Sequence, residues 1–343
     1  MTLRLILAIA LAIPLLSGAL RADTGAMIAD VVDNHILPRM RAFAEDSAAL
    51  DKAADADCEA SSKPLLDAYQ RAFDAWISAS HLRFGPTETD NRAFALAFWP
   101  DARGMVPKAL RQALASSDPV IRDADAFAAA SVALRGFFAL DYLLFDPAFA
   151  DLGSPEDRCA LIRAVAADLS RTAATIAADW TGEWAVLMKT AGANEVYRTQ
   201  AEAVQELYKS LYTGLEFTAD TRLGQPMGTF DRPRPERAEA WRSGRSLRNI
   251  ELSLASLRDL ADRLAAGAVA QTDLAPQIDY AFGRAIESTE ALADPVFAGI
   301  TDPMARFRVE ALQQMLFAIR NAIRGELGPA LGVDEGFSLN DGD

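Results

Sequence analysis

Leu134-Arg135-Gly136-Phe137-Phe138-Ala139-Leu140-Asp141-Tyr142-Leu143-Leu144-Phe145 closes a run, 123–145, whose spacing predicts one long apolar helix. Leu134, Phe138, Asp141 and Phe145 fall at i, i+4, i+7 and i+11, which is one stripe of a 3.6-residue repeat. Asp141 is thus a carboxylate on an apolar face. A buried charge is costly, so it needs a cation, a hydrogen-bond network or a raised pKa. Two readings stay open: an Asp paired with an arginine in the core, or a carboxylate lining a cleft. Gly136 inside a helix costs up to about 1 kcal/mol relative to Ala. A close packing partner or an approaching ligand would offset that cost.

Working outward, helical periodicity continues in both directions, and alternating β-branched runs are nearly absent. Helices are expected over 27–50, with Pro38 as a kink, and over 62–82, where Leu65, Tyr69, Phe73, Trp76 and Ser80 share a face. The stretch 91–114 reads as helix broken around Trp99-Pro100. Ser154-Pro155-Glu156-Asp157 is a helix start with a cap, an N1 proline and acids in the first turn; that helix runs to about 180. Further helices are expected over 195–218, 237–266, 273–293 and 303–327. The Gly- and Pro-rich segment 223–235 is the longest irregular stretch and is expected to wrap a surface or a cleft. The pattern is an all-α architecture of antiparallel bundles. Ala75-Trp76, Ser78 and Leu82-Arg83 recur in register as Ala240-Trp241, Ser243 and Leu247-Arg248, which suits either a duplicated bundle or chance.

Residues 1–22 read as a cleavable signal peptide: a basic start, an apolar run over 5–16, then small residues and Leu20-Arg21-Ala22. No later run is long and apolar enough to span a membrane. The expected compartment is a bacterial-type periplasm. The chain carries a formal charge of −14, or −16 without Arg4 and Arg21. Such a surface repels nucleic acid and anionic lipid. Cys58 and Cys159 are the only cysteines, and in an oxidising compartment an isolated pair reads as a disulfide, two unpaired thiols being the alternative.

A family resemblance rests on several short motifs in order. They are Ile36-Leu37-Pro38, Trp76 with Phe84-Gly85-Pro86, Phe98-Trp99-Pro100, and the Gly136–Leu144 stretch. Together they resemble the imelysin family, also called the insulin-cleaving membrane protease family, over nearly the whole mature chain. The resemblance implies two antiparallel helical bundles packed side by side, expected here over 23–150 and 151–331 with a tail at 332–343. It also implies a periplasmic or surface location and a link to iron uptake. The family's Gly-x-His-x-x-Glu signature, read as metal-related, stands here as Gly136, Phe138 and Asp141. Phe has no metal-ligating atom, and Asp is one methylene shorter than Glu.

Three functions follow as expectations. The first is a non-catalytic periplasmic binding or accessory protein in iron or other metal uptake, for which an iron ion is the candidate cofactor, with its ligand or partner between the bundles. Such a partner would be a periplasmic or outer-membrane iron-uptake component. Arg83, Gly136, Phe138, Asp141 and Arg222 are the candidate cleft residues, with His81 and Arg245 as further candidates. Arg83 and Arg222 would offer charge, Gly136 close approach and Phe138 an apolar wall. Arg242, Arg245 and Arg248 recur every three residues, and any of these arginines is a possible partner for Asp141. The second is a metallopeptidase, which needs three ligands and an activated water; His35, His81 and Asp141 are the weak metal candidates. The third is a docking module for a periplasmic redox or outer-membrane protein. No nucleophile elbow, phosphate loop, dinucleotide fingerprint or haem-attachment motif is present.

Overall fold

The computed structural model describes residues 23–268 and 273–333. The expected signal peptide, and residues 334–343 of the expected tail, lie outside them. The described residues are all-α, with one isolated bridge between Thr229 and Arg232. Among them no helix is long and apolar enough to cross a membrane.

The N-terminal path is α1, Thr24–Val31, a π-helical turn, Val32–Ile36, and α2, Leu37–Ala56. Pro38 has no N–H to offer the carbonyl of Asn34, and its ring crowds that carbonyl; the turn ahead of it is widened rather than broken. The other longer helices are α3 (Lys63–Ala79), α4 (Met105–Ala115), α5 (Gly136–Phe145), α6 (Pro155–Asp179), α7 (Gln200–Glu216), α8 (Ser246–Gly267), α9 (Leu274–Glu290) and α10 (Pro303–Ala322). As expected, the Ser154 hydroxyl accepts the Asp157 N–H at 3.0 Å, capping α6.

One group of helices forms where α2 packs along α3 and α6, and α5 rests on α6. Its centre is aromatic: Phe73 stacks on Phe137 at 4.3 Å, and Phe43 meets Trp76 at 5.2 Å. α6 begins past residue 150 yet packs with this group. It is tied there by Arg135 on the buried Asp168 (2.8 Å) and by the disulfide between Cys58 and Cys159. The second group is α8 against α9 and α7, with α10 against α9 and α7. α1 lies on α8, so the π-turn at Val32–Ile36 sits where the first helical path passes from one group to the other.

The disulfide spans a separation of 101 residues. Replacing both cysteines with serine is expected to lower unfolding free energy by about 2–5 kcal/mol. Urea denaturation of the oxidised wild type beside the double variant reads this directly; coincident curves would contradict it.

Two expectations need correction. The run 123–145 is not one helix. It is a short helix, Ala124–Ala128, a 3-10 turn at Val132–Leu134 capped by Ser131, and then α5. Gly136 therefore opens α5 with a φ of +73° rather than lying inside a helix. The helix expected from 237 begins only at Ser246, because Ala240 and Gly244 take positive φ. Trp241 thus stands in a turn while Trp76 stands in a helix, so the echoed motif does not mark equivalent local structure.

Candidate binding cleft

A cleft of about 740 Å³ lies between α3 with the loop that follows it and α7 with the π-helical turn that follows α7. Trp76, Phe94, Trp99 and Phe217 give it aromatic walls, and Glu206, Glu216, Asp220 and Lys209 bring charge to it. Phe94 is 45 % exposed, so its ring is open to a ligand.

Arg222 lies on its floor, on a second π-helical turn, Phe217–Arg222. The widened turn aims the side chain inward. Its Nε donates to Glu239 Oε2 at 2.7 Å, its Nη1 donates to Ser253 at 3.0 Å, and its guanidinium lies over the Phe217 ring at 4.9 Å. Glu239 also accepts from Asn249 at 3.0 Å, and both members of the pair are almost fully buried. Arg83 stands at the rim, half-exposed and paired with Glu88.

His81 lines the same cleft and is 5 % exposed. Its Nε2 lies 2.8 Å from Nε2 of the fully buried His35, whose Nδ1 lies 2.7 Å from Asp259 Oδ2. Arg39 and Arg263 hold Asp259 at 3.0 Å each. Burial pushes the His35 pKa down to about 4, against the pull of Asp259. Burial also holds His81 well below the usual imidazole range, with His35, Arg39 and Arg222 opposing an added charge. At Asp259 partial burial is outweighed by His35 first and then by Arg39 and Arg263, which bring its pKa down to about 2. At neutral pH the chain is a carboxylate followed by two neutral imidazoles.

The other expected residues lie elsewhere. Phe138 and Asp141 line a neighbouring pocket of about 120 Å³, walled off in part by Trp99, on which Phe138 stacks at 6.3 Å. Asp141 Oδ1 accepts from the Ser243 hydroxyl (2.5 Å), the Ser243 N–H (3.2 Å) and the Tyr69 hydroxyl (3.4 Å). Of the candidate arginines, Arg242 is the one beside it, at 3.8 Å, and Arg242 is shared with Asp146 at 2.7 Å. Gly136 faces no cavity: a Cβ there would sit 2.3 Å from the carbonyl oxygens of Ala95 and Leu96. Arg245 is buried under Phe73 and bound to Asp74 and Gln70.

Asp141 makes stability depend on pH. Burial, partly offset by Ser243 and Arg242, raises its pKa to about 6 from 3.8. The folded state therefore holds this proton more tightly than the unfolded chain. The resulting stability is fully present below about pH 4 and is lost as pH rises through about 6. Asp141→Asn keeps an acceptor for Ser243 and Tyr69 and removes that loss. Relative to wild type it should gain on the order of 2–3 kcal/mol between pH 4 and pH 7. Denaturation at both pH values tests this; a constant difference would contradict it.

The Imelysin family model matches residues 36–323. The chain belongs to the imelysin family. Two solved structures share the imelysin fold. One is an imelysin-like protein from Psychrobacter arcticum 273-4, 20 % identical, with a TM-score of 0.77 over 92 % of this chain and 97 % of that one. The other carries the name iron-regulated protein A precursor, from Parabacteroides distasonis ATCC 8503. It is 15 % identical, with a TM-score of 0.73 over 88 % of this chain and 94 % of that one. No curated relative matches the chain.

Phe138 offers no donor, and Asp141 Oδ1 already accepts three hydrogen bonds. His35 and His81 meet each other, not Asp141, and no set of three or more His, Cys, Asp or Glu side chains among the described residues is placed to hold an ion. The residues at the signature do not fit a metal. What the sequence did not point to is the pair of carboxylates that organise the cleft, Glu239 and Asp259. Glu239 lies in an irregular turn. Asp259 stands 224 residues from His35 on an amphipathic helix where an Asp looks like ordinary solvent-facing charge.

Proposed function

We propose that this protein is an exported, non-catalytic imelysin-type binding or accessory protein of the periplasm, serving uptake of iron or another metal, with its ligand or partner in the cleft. The observation that carries this reading is the cleft itself. It is open, about 740 Å³, aromatic-walled and floored by the Arg222–Glu239 pair, the anatomy of a small-molecule site. The iron part of the reading is supported by the name of the Parabacteroides relative, and export by residues 1–22 together with the word precursor in that name. A metallopeptidase reading lacks its ligand set at Phe138 and Asp141. A docking role for a partner protein is the second reading. It is favoured by Met304 and Phe307, which are 61 % and 62 % exposed one turn apart on α10.

Thr213, on the cleft-facing side of α7, offers a way to fill the cleft without touching its charged groups. In a strain whose growth under iron limitation depends on this protein, Thr213→Trp is expected to support growth no better than deletion. Val186→Trp, at a residue outside the cleft and 56 % exposed, is expected to behave as wild type. Full growth with Thr213→Trp would contradict the reading.

A further inference from the structure

His81 ends a buried chain that gives its ring a defined polarity. Asp259 is a carboxylate, so the proton between it and His35 lies on His35 Nδ1. The Nε2 of that neutral ring is then an acceptor, and the 2.8 Å contact requires His81 Nε2 to donate. His81 Nδ1 is left as a lone pair. It has no hydrogen-bond partner among the described residues, while its ring lines the cleft. Burial opposes a second proton on either ring, with Arg39 and Arg263 adding to it at His35 and Arg39 and Arg222 at His81, so the chain does not readily reverse into a donor.

The groups around this acceptor favour one kind of donor. Trp76, Trp99 and Phe217 present aromatic faces. Glu206 makes no ion pair or hydrogen bond among the described residues; burial pushes its carboxyl up, against the pull of Lys209 one turn along α7. Of the cleft's cations, Arg83 is paired with Glu88 and Arg222 with Glu239, and Lys209 shares the cleft with three carboxylates, Glu206, Glu216 and Asp220. The chain as a whole is strongly acidic, which steers cations toward it.

We propose that the cleft takes an organic ammonium group, whose N–H donates to His81 Nδ1 while its charge is met by Glu206 and the aromatic walls. This rests on the reading that the cleft is the ligand site and names the ligand chemistry.

The chain has only two histidines, so both tautomers can be read without ambiguity by long-range ¹H–¹⁵N NMR of the full protein. Expected at pH 7 are neutral His35 protonated on Nδ1 and neutral His81 protonated on Nε2. His81 protonated on Nδ1, or charged, would overturn the proposal whatever binds. The binding arm titrates benzylammonium, benzyl alcohol and phenylacetate. Benzylammonium should bind at least about tenfold more tightly than either counterpart and shift the His81 ¹⁵Nδ1 signal, and His81→Phe should lose about tenfold. Phenylacetate or benzyl alcohol bound more tightly in a manner abolished by Thr213→Trp would overturn the ammonium assignment and leave the cleft reading standing. No binding of benzylammonium would overturn the assignment too.

Discussion

Gly136→Ala is expected to destabilise the protein by on the order of 2–6 kcal/mol, a large share of the stability of an ordinary domain. Two costs add. The residue opens α5 at a φ of +73°, which L side chains rarely adopt, at about 1–3 kcal/mol. The new Cβ would also lie 2.3 Å from the backbone carbonyls of Ala95 and Leu96, and backbone does not step aside as a flexible side chain does. Overpacking of that kind adds about 1–3 kcal/mol. Gly325→Ala is the control: it sits in a helical turn with open space around its Cβ. It should be neutral or slightly stabilising. Chemical denaturation of the two variants beside wild type tests this, and equal midpoints would contradict the role given to Gly136.

Glu239→Ala is expected to cost about 3–5 kcal/mol, because it leaves Arg222 charged and nearly fully buried with Thr218 and Ser253 as its hydrogen-bond acceptors. It also frees the Asn249 amide, a smaller loss. The double change Arg222→Met with Glu239→Leu should recover most of the stability, since no unpaired charge remains. It should not recover ligand binding if the pair shapes the cleft floor. A single variant as stable as wild type would show that the pair is not desolvated as the packing requires.

The helical architecture was legible because its signals are local. Ser154-Pro155 announced α6, and Leu65, Tyr69, Phe73 and Trp76 announced the buried face of α3. The disulfide followed from there being only two cysteines. Element boundaries failed where one residue in an unusual backbone region decides the outcome. The apolar spacing of 123–145 places Gly136 inside a helix, although its positive φ is what separates α5 from the 3-10 turn before it. Ala240 gives no sequence warning that it adopts a positive φ and delays α8 to Ser246.

The site was legible only in part. Arg83, His81 and Arg222 do share the cleft, but Phe138 and Asp141 stand behind Trp99, and Gly136 stands against backbone. Two π-helical turns explain much of the difference. Each inserts a residue into the helical repeat and turns a side chain, His35 or Arg222, onto a face that simple 3.6-residue counting does not assign to it. The pairings of His35 with His81 and Asp259 join two helical segments and the turn after α3, far apart in sequence, and no single-sequence pattern encodes them.

The central claim is that the aromatic cleft, and not the altered Gly-x-His-x-x-Glu stretch, holds what this protein binds. Its most direct test is native mass spectrometry with metal analysis of protein purified from its own host. Wild type, Thr213→Trp and Asp141→Asn would be compared. The account predicts a small-molecule adduct on wild type and Asp141→Asn that is absent from Thr213→Trp. A stoichiometric metal ion that survives Thr213→Trp and disappears with Asp141→Asn would contradict it and return the site to Asp141.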